Sequence, residues 1–137
     1  MGNFSTEITL KNAVDVGSVQ RGYMKEQEVR QVTVQAVVDT GASTIMLDEE
    51  TFRNLGLAVE GERYVNIADG GRRSCKITEP VRICWNDRSA VSPAVVIPGS
   101  KHVLLGAIPL EMMDLVVNPV KMRLEGAHGD QVEFLAL

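Results

Sequence analysis

Aromatic side chains are scarce in this sequence, six in 137 residues, and cysteine is scarcer still, with only Cys75 and Cys84. Two cysteines cannot staple a disulfide-dense secreted module, and they lack the paired spacing of a zinc site. Basic residues are also in deficit: 14 Lys and Arg stand against 18 Asp and Glu, for a net charge of −4. The electrostatic footprint of a phosphate-backbone binder is therefore missing, and nucleic acid is not an expected partner. Long apolar runs are absent as well. The longest, such as Ala94-Val95-Val96-Ile97, are far too short to span a bilayer, and no basic stretch followed by an apolar one marks the start as an export signal. These absences together predict a cytoplasmic protein with no membrane span. The opening Met1-Gly2-Asn3-Phe4-Ser5-Thr6 does fit the loose myristoylation pattern, and Asn3-Phe4-Ser5 fits a glycosylation sequon, both short patterns of low specificity.

What is present is an ordinary globular composition, 45% hydrophobic and 23% charged, of a length suited to one domain over residues 1–137. Nineteen valines in short alternating runs favour β-structure, because branched side chains suit a pleated, half-buried surface. An all-β fold with one or two short helices is expected. Ile8, Leu10, Val14 and Val16 read as an early strand pair or one irregular strand, and the polar stretch Gln20 to Glu28 as a surface connection. Val32, Val34, Ala36 and Val38 alternate with period two and run directly into Asp39-Thr40-Gly41-Ala42-Ser43, so a strand delivers Asp39 to a turn. Asp48 can cap a short helix that buries Phe52 and Leu55 and stops at Gly56.

Further along, Tyr64 to Ala68 and Ser74 to Thr78 flank Asp69-Gly70-Gly71, a strong hairpin signal. Val81, Ile83 and Trp85 share a strand face, Asn86-Asp87-Arg88 forms a turn, and Ala94 to Ile97 is a buried strand. Val103-Leu104-Leu105 enters Gly106, and Pro109 suits the first turn of a helix carrying Leu110, Met112 and Met113. Leu115-Val116-Val117 is a strand, a turn is expected around Gly126 to Asp130, and the end, Phe134 to Leu137, reads as a hairpin or interface strand.

Zinc-helix, serine-elbow and phosphate-loop motifs are all missing, and His102 and His128 lie apart from each other and from both cysteines. Each histidine reads as a surface or turn residue, each cysteine as a small buried apolar group, and Arg72 and Arg73 as solvated. Asp39 differs, because an apolar strand carries its ionisable carboxylate to the edge of the core, although Asp before Thr-Gly can also simply accept backbone hydrogen bonds in a turn.

Three signatures occur in order: Asp39-Thr40-Gly41-Ala42, the glycine-rich Asp69-Gly70-Gly71 hairpin, and Leu104-Leu105-Gly106 before a short helix. Over residues 30–118 the chain resembles the retropepsin-like aspartic proteases, in a bacterial-type single-domain form. The resemblance implies a small closed acid-protease β-barrel with a flap hairpin. It implies Asp39 as the catalytic aspartate, Thr40 bracing its loop across a dimer axis, and Gly41 presenting backbone to substrate. It places Ala42, Ser43, Ala68, Asp69, Gly70 and Gly71 against a polypeptide substrate, with no metal and no cofactor. Ser43 and Thr44 stand where retroviral members usually carry acidic residues, Asp69 occupies a mostly apolar flap tip, and Ala107 replaces a common polar residue, so substrate preference does not transfer.

Metal-free peptide hydrolysis can use two facing carboxylates sharing one proton. This chain offers one Asp-Thr-Gly, since Asp15-Val16-Gly17 lacks the threonine and lies too early for a second lobe. A homodimer with both Asp39 side chains at its twofold axis is the resulting expectation. The alternative is a noncatalytic dimeric module that binds peptide or protein on the same framework. A third possibility is activity gained in a larger assembly through docking of Gln131 to Leu137. The segment 119–137, beyond the resemblance, has room for one more hairpin or a dimer-interface strand.

Overall fold

A computed structural model of the chain describes residues 3–67, 70–134 and 136. Met1 and Gly2 of the myristoylation pattern, Ala68 and Asp69 of the hairpin tip, and Leu135 and Leu137 of the apolar end lie outside the described residues.

Strand β1 (Phe4–Asn12) pairs antiparallel with β2 (Gln31–Val38), Ile8 opposite Val34 and Leu10 opposite Val32. Ile8, Leu10, Ala36 and Val38 are all buried, as period-two alternation requires of a sheet with one face on the core. Between these strands the expectation for Val14 and Val16 is corrected: they belong to helix α1 (Ala13–Gln20). Asn12 makes the difference. Its side-chain oxygen accepts hydrogen bonds from the Val14 and Asp15 amides at 3.0 and 3.1 Å, which satisfies two orphan donors of the first turn. Its amide nitrogen donates to Leu55 O at 2.9 Å, and buried Asp15 holds Arg30 with Nε–Oδ2 at 2.9 Å. A 3-10 turn at Glu26–Glu28 then leads into β2.

The chain continues through β3 (Ile45–Leu47), α2 (Glu49–Asn54), β4 (Val59–Asn66), β5 (Arg72–Thr78), β6 (Val81–Trp85), β7 (Arg88–Ser92) and β8 (Ala94–Val96). It ends with β9 (Val103–Leu105), α3 (Ala107–Met112), β10 (Leu115–Asn118) and β11 (Arg123–Gly126). Asp48 stands at the start of α2 as expected, but its side chain makes no capping bond and its Oδ1 is buried without a partner among the described residues. With three α-helices, the described residues hold one more than anticipated. The strand of the C-terminal segment is β11, which precedes the expected turn, and residues 131–134 carry no strand.

Nine strands form one sheet in the order β4-β5-β8-β3-β9-β2-β1-β6-β7, and β10 pairs with β11 in a second. The class is all-β, as expected, but the hydrogen bonding does not close into a barrel. Its ends are β4, whose residues are almost all exposed because the β4–β5 hairpin projects from the body, and β7. Ile8, Leu10, Ile45, Leu47, Leu55, Ile83, Leu105 and Met113 fill the centre, and β10 and β11 add Leu115 and Leu124 to the same core. Among the described residues no helix is long and apolar enough to cross a membrane.

Candidate active site

Three short strands meet where Asp39 leaves β2. Strand β9 runs parallel to β2, with Val38 opposite Leu105, and antiparallel to β3, with Leu105 opposite Ile45. All three of these residues are buried, so apolar packing fixes the base of the turn that follows. The backbone then locks the turn itself. The Asp39 amide donates to Leu105 O at 3.0 Å, the Ala42 amide to Asp39 O at 3.1 Å, the Ala107 amide to Ala42 O at 2.8 Å and the Ile108 amide to Ser43 O at 2.9 Å.

Gly106 is required by this closeness. A Cβ there would run into the Thr44 carbonyl and lie 2.6 Å from Ala42 O and 2.8 Å from Thr44 N, all backbone atoms that cannot swing aside. The Leu-Leu-Gly signature is thus the inner wall of the Asp39 turn. Within the turn, Asp39 is half-buried and its Oδ1 accepts the Gly41 amide at 2.9 Å, while Oδ2 has no partner among the described residues. One carboxylate oxygen is held and the other is left open to a ligand.

The turn opens into a cleft of about 1070 Å³. Asp39, Gly41, Ala42 and Ser43 line it, with Met46, Leu104 and Ile108 as apolar walls. The β4–β5 hairpin supplies Arg63, Val65, Arg73 and Ile77, and the segment from Ile97 to Ser100 closes one side. Thr40 does not line the cleft; it is exposed, and its hydroxyl has no partner among the described residues. Gly70 and Gly71 stay at the hairpin tip, where the Ile67 amide donates to Gly71 O at 2.8 Å and the Gly70 amide to Ile67 O at 2.9 Å. The tip residues Ala68 and Asp69 lie outside the described residues. Among the lining residues Asp39 is the sole carboxylate, and none is histidine or cysteine.

The other titratable groups fall elsewhere. Cys75 is buried and burial pushes its thiol pKa up, which suits an inert packing residue. His102 is exposed, and His128 pairs with Asp114 at 2.7 Å, away from the cleft. Sequence reading missed the walls of the cleft, above all Arg63 and Arg73. Arg73 is exposed, in keeping with a solvated side chain, and it also lines the cleft, its Nη1 donating to Pro98 O at 3.2 Å. The available signal was parity: Arg73 alternates in step with Cys75 and Ile77, the inward residues of β5.

Comparison with known proteins gives the family and the fold. Residues 25–112 match the family model described as "gag-polyprotein putative aspartyl protease". The chain belongs to this family of retropepsin-like aspartyl proteases. Among solved structures it is similar to the EIAV protease complexed with the inhibitor HBY-793, with 19% sequence identity and a TM-score of 0.52 over 80% of this chain and 86% of that one. The fold is therefore that of a retroviral protease. No curated protein matches the sequence.

Proposed function

We propose that this protein is an aspartic endopeptidase whose active centre forms when two copies bring their Asp39 side chains together. The carrying observation is the Asp39 turn itself: among the described residues it holds a carboxylate with one oxygen bound and one open, in a peptide-sized cleft lined by no second acid. Metal-free hydrolysis by carboxylates needs two, one ionised to take a proton from water and one protonated to polarise the scissile carbonyl. The second Asp39 of a twofold dimer supplies the missing group.

In this reading the ionised carboxylate accepts a proton as water attacks the carbonyl carbon, and the protonated one donates to the carbonyl oxygen. Collapse of the tetrahedral adduct then breaks the C–N bond and passes a proton to the leaving amine. Thr40, exposed and with a hydroxyl that has no partner among the described residues, braces the turn against its counterpart. Gly41, Ala42 and Ser43 present backbone to an extended substrate. The β4–β5 hairpin acts as a flap through Ala68, Asp69, Gly70 and Gly71, pairing with the peptide as an added strand and excluding water.

The mechanism needs one ionised and one protonated carboxylate, so activity should vanish both when neither is protonated and when both are. The test is cleavage of a diverse peptide mixture across about pH 4 to 7, with products read by mass and Asp39→Asn alongside. An acidic bell for the wild type and no product from Asp39→Asn is expected. Folded protein that cleaves nothing would contradict the proposal and favour a peptide-binding module on the same framework.

A further inference from the structure

The two faces of the β4–β5 hairpin carry charge differently. In its register Glu62 stands opposite Lys76 and Tyr64 opposite Ser74, so these four side chains share one face. On that face both signs of charge occur: Glu62 is registered opposite Lys76, whose Nζ lies 5.5 Å from the centre of the Phe52 ring, and the Arg72 guanidinium lies 4.0 Å from the centre of the Tyr64 ring. Arg63 stands opposite Cys75 and Val65 opposite Arg73, which places Arg63 and Arg73 diagonally on the other face; both line the cleft, as do Tyr64 and Asn66 of β4. Like charges at such spacing repel, and no acidic residue of either strand shares that face.

Neither arginine makes an ion pair with any described residue. Arg73 gives one side-chain N–H to Pro98 O, which tethers it to the cleft wall and leaves its remaining donors available, and the Arg63 side chain has no hydrogen-bond partner among the described residues. Among the described residues lining the cleft, the only acid is Asp39. A chain with net charge −4 thus presents to whatever occupies its cleft two guanidiniums that have no ion-pair partner among the described residues. A guanidinium fork matches a carboxylate in shape and donor number, and the cleft's apolar walls strengthen such a contact.

We propose that Arg63 and Arg73 make this cleft selective for peptides with an acidic side chain, Glu or Asp, at a position facing the β4–β5 hairpin. The inference rests on the cleft being a peptide site, as proposed above, but not on turnover. It assigns the two arginines to substrate selection and the Asp39 turn to chemistry.

The experiment is retention of a random-sequence decapeptide pool by immobilised Asp39→Asn protein, which cannot consume its ligand, with retained peptides sequenced by mass. Arg63→Gln, Arg73→Gln and the double variant are run in the same background. Acidic residues should be enriched about tenfold at one or two positions, less in each single variant and not at all in the double. The enrichment should also shrink as salt is raised. Arg→Lys at both positions should restore part of it, which a merely structural role would not. Retention with no acidic preference, enrichment that survives in the double variant, or no retention at all would each overturn the proposal. Wild-type cleavage of the same pool separates the two claims. Cuts without an acidic preference leave the protease standing and remove this inference, whereas acidic retention without cuts does the reverse.

Discussion

The Asp39 turn and the β4–β5 hairpin face each other across one cleft, yet they are built on opposite terms. The turn sits where β2, β9 and β3 converge on buried Val38, Leu105 and Ile45, and its backbone is bonded to β9 and α3 at several points. The hairpin is exposed along almost all of β4, and among the described pairings it joins the body through Lys76 and Ile77 of β5 opposite Val96 and Val95 of β8. Chemistry tolerates little displacement of its reacting group, whereas admitting and gripping a peptide requires an element that can open. The molecule meets both needs by anchoring one wall of the cleft and leaving the other loosely tied.

The comparison breaks most visibly if the anchored side is weakened. Leu105→Ala should cost about 2–5 kcal/mol in urea unfolding, because the cavity lies among three strands that cannot all collapse into it. Gly106→Ala should cost about 1–3 kcal/mol by overpacking against the Ala42 and Thr44 backbone, with peptide cleavage lost more steeply than stability as the Asp39 turn is pushed out of place. On the hairpin, Tyr64→Ala removes an exposed cation–π contact worth about 0.5–1 kcal/mol, so the unfolding midpoint should barely move. Amide exchange sharpens the same point: protection at residues 103–105 should approach the global stability, while β4 exchanges through local opening.

The smallest effect concerns a third region, remote from both walls. Buried Arg88 donates from Nη1 to Met113 O at 2.9 Å and Asp114 O at 2.8 Å, and from Nη2 to Gly129 O. The Asp114 carboxylate takes the Glu133 amide at 3.1 Å and pairs with His128. The hydrogen bond between them raises the His128 pKa and lowers that of Asp114. Stability from His128 is full below its unfolded pKa of about 6.5 and is lost as pH rises through its higher folded value. Stability from Asp114 is present above its unfolded value of about 4 and is lost as pH falls through its lower folded value. The thermal midpoint should therefore be best supported between about pH 4 and 6.5, and His128→Gln should flatten the decline on the alkaline side. An unchanged pH profile in that variant would show that the pair contributes nothing measurable.

Much of the anchored region could be read from the chain alone. Alternation from Val32 to Val38, the Asp-Thr-Gly turn and Gly106 before a Pro109 helix are local patterns, and the packing agrees with each of them. The signals that failed were those settled by distant partners. Val14 and Val16 alternate as a strand would, and it is Asn12 bonded to Leu55, together with Asp15 bonded to Arg30, that turns the segment into a helix. Arg88 was placed in a turn, and only the arrival of Met113, Asp114 and Gly129 gives its buried guanidinium a purpose. Barrel closure was inferred by resemblance, whereas the nine-stranded sheet ends in β4 on one side and β7 on the other. Arg63 and Arg73 lie between these cases: their parity is in the sequence, but the direction their face points depends on how β5 pairs with β8.

The central claim is that one Asp39 is half of an active centre. Specific peptidase activity should be measured over a dilution series alongside sedimentation of the same samples. The account predicts that activity per chain falls in proportion to the fraction of dimer and vanishes with it. Undiminished activity per chain at concentrations where only monomer sediments would contradict it.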